Sequence, residues 1–172
     1  MRPDLRAAAL LLVATVATVA HAQFGGDDRA WRDAEAPAPP PLRTSGLIPI
    51  DVAGSSLKFG VDPASIAISP EGIVRYVVVA TSAQGAVNGL YEGIRCDPGM
   101  VRVFARYDPA RGWVKSEGDW KPLLGSSAPV RHSLEIARLG ACAANAPNGS
   151  AEQVARDLGA SYDRRFRTES SR

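Results

Sequence analysis

Ile73 to Cys96 reads IVRYVVVATSAQGAVNGLYEGIRC, and this stretch decides the fold. Ile73 to Thr81 is rich in β-branched and aromatic residues, which suit a pleated, buried surface. Val74, Tyr76, Val78 and Ala80 alternate with Val77 and Val79, and Arg75 stands near one end. A strand apolar on both faces belongs in the middle of a sheet. Glu71-Gly72 before it and Ala83-Gln84-Gly85 after it carry turn chemistry, so the chain returns as a second strand from Ala86 to Cys96. Strict alternation in that return puts Leu90, Glu92, Ile94 and Cys96 on one face. A carboxylate among apolar neighbours is either buried with a partner or turned outward by a bulge at Gly93. The glycine favours the bulge.

Upstream, Leu47-Ile48-Pro49-Ile50-Asp51-Val52 is a short extended segment, and its proline argues for an edge. Leu57, Phe59 and Val61 alternate with polar or small residues, as in a half-exposed strand. Asp62-Pro63-Ala64-Ser65 is a turn, Ile66 and Ile68 start another strand, and Ser69 to Gly72 turns into the hairpin. Downstream, Asp97-Pro98-Gly99 is a tight turn. Met100 to Tyr107 then alternates, with Val101, Val103, Ala105 and Tyr107 on one face and Arg102, Phe104 and Arg106 on the other. Another turn, Asp108 to Gly112, leads to Trp113-Val114-Lys115, and Trp120 and Leu123 close one end of the core.

Near Pro129 the period changes to that of a helix, with Val130, Leu134, Ala137 and Ala141 as its apolar stripe and Gly140 as its end. The reading is an α+β fold: an antiparallel β meander or small barrel, with a C-terminal helix clamped by one disulfide. That disulfide joins Cys96 and Cys142. An even pair in an exported chain reads first as a structural bridge, and no C-x-x-C spacing supports a redox pair. Closing such a loop stabilises by about 4 kcal/mol in the chain-entropy picture.

Export is read from the first residues. MRPDLR, an apolar run from Ala7 to Ala20 and the end Ala20-His21-Ala22 form a secretory signal peptide, cleaved after Ala22. The run is shorter than the ~20 residues a membrane-spanning helix needs, and no later segment is apolar enough to span. The expected location is the periplasm, with about 150 residues left for one domain. The expected organisation is a leader (1–22), a mobile proline-rich arm (23–46), a β-rich domain (47–142), and a linker with a basic tail (143–172). Ala36-Pro37-Ala38-Pro39-Pro40-Pro41 suits a semi-rigid polyproline spacer, and Trp31 is read as docking onto the domain. Ser150-Ala151-Glu152-Gln153 has capping-box spacing ahead of a short, weak helix in a solvated tail. The formal charge is only +2 over the whole chain, which gives no footprint for nucleic acid.

Gly72-Ile73-Val74-Arg75-Tyr76, Gly85-Ala86-Val87-Asn88 and Tyr91-Glu92-Gly93-Ile94-Arg95-Cys96 resemble the CNP-like (cryptic neisserial protein-like) family. So do Leu47-Ile48-Pro49, Val61 to Ser65, Trp113, Trp120 to Leu123, Arg131-His132 and Cys142. The resemblance runs from Phe24 to Cys142 and implies a small exported protein of a Gram-negative bacterium with no assigned activity. Ser133 stands where a second histidine commonly follows the Arg-His pair, which weakens a metal or catalytic role for that pair. The tail after Cys142 lies outside the pattern.

The permitted chemistry is narrow. His21 leaves with the leader, so the mature chain keeps His132 alone, too few for a multi-histidine zinc site, and no metal or cofactor is expected. No P-loop, G-x-G-x-x-G or G-x-S-x-G motif is present. The candidate binding residues are Glu92, Arg95, Arg131 and His132, read as an anion- or carboxylate-binding patch. The bland alternative is an internal Glu92–Arg pair holding strand to helix. Tyr76, Trp113 and Trp120 either line a groove or fill the core. The function expected is a non-enzymatic interaction or binding module of the cell envelope, taking an envelope protein or a small anionic ligand. The alternative is a small periplasmic hydrolase using His132 and Glu92. Oligomeric state is not legible.

Overall fold

The computed structural model describes residues 35–125 and 131–160. The described residues from Ala36 onward belong to one unit. Strands β1 (Ile48–Ile50) and β2 (Lys58–Val61) pair as an antiparallel edge. A 3-10 turn over Pro63–Ser65 separates β2 from the short β3 (Ala67–Ile68). The long β4 (Ile73–Thr81) takes β2 along its far half and β3 along its near half. β2 and β3 thus form one interrupted neighbour strand. At the break, Ser65 Oγ accepts from the Val77 amide at 2.7 Å, and Val77 O accepts from the Asp62 amide at 3.0 Å. The ladder therefore loses a strand residue without orphaning Val77.

β4 continues into a meander of β5 (Val87–Arg95), β6 (Met100–Asp108) and β7 (Gly112–Lys115), and the two-residue β8 (Lys121–Pro122) pairs with the start of β6. The order β1-β2-β4-β5-β6-β7 is an open sheet, so of the two architectures expected the meander holds and the barrel does not. β4 lies in its middle, as its two apolar faces require.

The first face carries Val74, Tyr76, Val78 and Ile94, and helical segments cover it. Helix α1 (Arg131–Ile136) widens into a single π turn over Ala137–Ala141, where Gly140 leaves helical geometry. Pro129 and Val130, expected in the first turn, lie outside the described residues. The chain then forms a tiny hairpin, β9 (Cys142–Ala143) and β10 (Ala146–Pro147), and ends in α2 (Ala151–Gly159). The Cys96–Cys142 disulfide is formed and ties the end of β5 to the exit of the π turn.

The chain after Cys142 is not a solvated tail as far as Gly159. Val154 and Leu158 are buried in the main core beside Ile136 and Ala141. Each such side chain contributes about 1.5–3 kcal/mol on burial. The capping residue is as expected: Ser150 Oγ accepts from the Gln153 amide. Asn148, placed in a linker by sequence, braces the assembly. Its amide group donates to Gly140 O at 2.9 Å and to Asp157 Oδ2 at 2.7 Å.

The second face holds Val77, Val79, Tyr91 and Ala105, with Ala36, Leu42 and Leu47 packed on it. Trp113 Nε1 donates to Pro40 O at 2.8 Å. The proline run from 36 on is therefore seated on the sheet rather than held away from it. Trp31 lies outside the described residues.

Candidate functional site

The side chains that meet at the sheet–helix boundary come from three places. Tyr76 on β4 and Glu92 on β5 are direct cross-strand partners on the helix-covered face. His132 and Ser133 follow each other in the first turn of α1. Glu92 is 0 % exposed and His132 6 %. His132 Nε2 lies 3.1 Å from Glu92 Oε1. Ser133 Oγ donates to Oε2 at 2.9 Å, and Tyr76 OH donates to the same oxygen at 3.1 Å. Both carboxylate oxygens are engaged from within the protein, which is what a buried acid requires. The Phe59 ring stacks on the imidazole with centroids 4.8 Å apart and planes 13° apart. Burial pushes the Tyr76 phenol well above its ordinary pKa, and the neighbouring Glu92 carboxylate pushes it further.

The outward turn of Glu92 at a Gly93 bulge is therefore corrected. Glu92 stays on the apolar face, and donors are supplied to it. The register shift lies opposite, between Tyr91 and Glu92 in the pairing with β6, where Tyr91 meets Ala105 and Glu92 meets Val103. Phe104 is the extra residue. The faces of β6 consequently switch midway: Val101 joins the helix-side core, whereas Ala105 joins the other. The single alternation expected from Met100 to Tyr107 does not hold.

The four candidate residues do not form one patch. Glu92 and His132 are in contact. Arg131 is exposed and its Nη1 donates to Ala53 O at 3.4 Å. Arg95 lies on the odd, opposite face of β5, with its guanidinium 5.7 Å from the Trp120 ring centre. The expected Glu92–Arg pair is replaced by Glu92 with His132, Ser133 and Tyr76. Nor do the aromatics share a groove. Tyr76 is in the helix-side core, Trp113 packs edge-on to Tyr107 at 5.5 Å on the other face, and Trp120 meets Phe104 edge-on at 6.0 Å.

Sequence reasoning passed over Ser133 and Tyr76 as partners of Glu92. The signal was present in the alternation itself: a glutamate kept on an apolar face demands donors, and Tyr76 stands directly across the hairpin.

Among the described residues, no three or more His, Cys, Asp or Glu side chains are grouped to hold a metal ion. No described helix is long and apolar enough to cross a membrane. No curated protein and no solved structure matches the chain. The CNP1-like family matches residues 26–159. That span reaches past Cys142 through α2, so the tail helix falls within the pattern after all. With its two-faced β4–β5 hairpin, its bridging cysteines and a match over most of its length, the chain belongs to the CNP1-like family.

Proposed function

We propose that this protein is an exported, non-enzymatic binding or interaction module of the cell envelope. Export rests on the leader-like sequence before Gln23 and agrees with a disulfide between the two cysteines. The single observation that carries the non-enzymatic reading is the burial of Glu92 and His132. They are the acid and the imidazole that a hydrolase would use. A general base must reach the proton it abstracts. Here the carboxylate is filled by Ser133, Tyr76 and His132, and the imidazole is covered by Phe59. The pair acts as a clip between sheet and α1. Recognition then falls to the outer surfaces, with an envelope protein or a small anionic ligand as partner.

The test is in-cell crosslinking of the full chain, with mass spectrometry of what is attached and N-terminal sequencing of the mature protein. Reproducible crosslinks to one envelope protein, on a chain beginning at Gln23, support the reading. Catalytic turnover lost in a folded His132→Ala variant overturns it in favour of the hydrolase.

A further inference from the structure

We propose that Asn148-Gly149 is a site of spontaneous covalent modification, at which Asn148 loses its amide group in the folded protein and α2 loses its brace. This goes beyond the binding-module reading and does not depend on it. The chain holds two Asn-Gly pairs, Asn88-Gly89 and Asn148-Gly149. Glycine after asparagine leaves the next backbone nitrogen unshielded, and that nitrogen can attack the side-chain amide carbon. The sequence ranks the two pairs alike, and the structure separates them.

Asn88 and Gly89 stand in β5, opposite Ala80 and Val79 of β4. Gly89 is packed as well as paired: a Cβ there would stand 2.7 Å from Leu42 Cδ1 and 3.1 Å from Tyr107 Cβ. Attack requires the glycine nitrogen to fold back onto the asparagine side chain, and a backbone held extended in a ladder does not turn that way. Asn148 and Gly149 lie instead between β10 and the Ser150 cap of α2. There the Gly149 N–H already turns back and donates to Asn148 Oδ1 at 2.8 Å. The attacking nitrogen thus stands beside the carbon that bears this oxygen. The bonds from Nδ2 to Gly140 O and Asp157 Oδ2 keep the amide from swinging away. Holding two reacting groups together in this way removes much of the entropic part of the barrier. Gly149 is exposed, and nothing lies within 4 Å of where its Cβ would be, so water reaches the pair.

The step balances with water as the sole co-reactant. Hydroxide or water takes the Gly149 N–H proton, the nitrogen bonds to Asn148 Cγ, the Cγ–Nδ2 bond breaks, and ammonia leaves. Water then opens the five-membered imide at either carbonyl, leaving aspartate or isoaspartate at position 148. Either product undoes the brace. A carboxylate has no N–H to give, so Gly140 O loses this donor and a new charge faces the Asp157 carboxylate. Isoaspartate also lengthens by one carbon the main chain that joins the Asn148 N–H, bonded to Ala141 O at 3.0 Å, to the Ser150 cap. The hold on α2 is then left to the burial of Val154 and Leu158.

The full mature chain is aged in mildly alkaline buffer, native and in urea, and mapped by mass spectrometry. Amide exchange is then read on the aged native sample. In the native chain Asn148 should convert about tenfold faster than Asn88 or more, whereas in urea the two should convert alike. Exchange across 151–159 should quicken in the aged protein and in Asn148→Asp, with β4 unchanged. Gly149→Ala, for which there is room, should slow the conversion about tenfold or more and keep the melting temperature. Four outcomes overturn the proposal: Asn148 intact in the folded chain once the unfolded chain has converted, Asn88 converting as fast as Asn148 in the folded chain, a rate that Gly149→Ala leaves unchanged, or unchanged exchange across 151–159 after conversion.

Discussion

His132 Nε2 lies 3.1 Å from Glu92 Oε1, and this contact joins the first turn of α1 to the second strand of the central hairpin. The two residues are 40 positions apart, so the contact exists only once sheet and helix have met. Removing Glu92 takes the shared partner from His132, Ser133 and Tyr76 at once, whereas removing His132 leaves Glu92 Oε2 still held by Ser133 and Tyr76. Glu92→Ala should therefore cost about 3–5 kcal/mol. His132→Ala should cost less, and the double mutant should be less destabilised than the sum by about 1 kcal/mol or more. Urea unfolding of the four proteins checks this. Strictly additive losses would show that the pair is not coupled.

Tyr76 gives the fold a weakness toward alkali. An ordinary phenol holds its proton up to about pH 10. Desolvation and the Glu92 carboxylate keep the Tyr76 proton on well beyond that in the folded chain. Stability from this group is fully present below pH 10. Above it the unfolded chain releases the proton first, the native state holds more protons, and stability falls as pH rises toward the folded pKa. Tyr76→Phe should lower stability at neutral pH by about 1 kcal/mol, for the lost bond to Glu92. Its decline between pH 10 and the folded pKa should be shallower than wild type. Tyr91, also raised by burial but drawn back by Arg75, contributes the same sign to both proteins. Chemical unfolding across that range measures the two slopes.

Gly140 sets the distance between the π turn and α2. A Cβ there would stand 2.9 Å from the Leu158 amide nitrogen and 3.2 Å from Val154 O, and backbone atoms cannot step aside as a side chain can. Gly140→Ala should destabilise by about 1–3 kcal/mol. The effect should be local first: amide exchange across 151–159 should speed up more than exchange in β4. Uniform acceleration would mean that α2 unfolds only with the sheet.

Trp113 fastens the proline segment. Trp113→Phe keeps an aromatic ring near Tyr107 but loses the Nε1 bond to Pro40 O. The stability loss should be about 1 kcal/mol. Limited proteolysis should then cut sooner between 36 and 46, with cutting in the meander unchanged. An unchanged cutting rate would show that Leu42 and Leu47 hold the segment without the indole.

The sequence by itself determined the strands, the turns and the bridge. β4 and β5 are legible because alternation and β-branching are local properties, and Gly72 and Gly85, both at positive φ, punctuate them as the turn residues suggest. Cys96 and Cys142 are legible because they are the only two cysteines. Their place in the fold follows from the helix period before Cys142. What only the tertiary structure decided is which face each polar side chain occupies and what it meets there. Glu92 stays inward because a tyrosine across the hairpin and a His-Ser pair far along the chain supply its hydrogen bonds, and no local pattern encodes that meeting. Arg95 and Arg131 part company because strand parity sends one to the far side of the sheet and α1 aims the other at Ala53. The bulge at Phe104 reverses β6 midway, a two-against-one pairing that one strand's own sequence does not carry. α2 reads as weak because its propensity and apolar content are modest. It is held in place by the Asn148 brace and by burial of Val154 and Leu158, and that burial exists only when the sheet is already there.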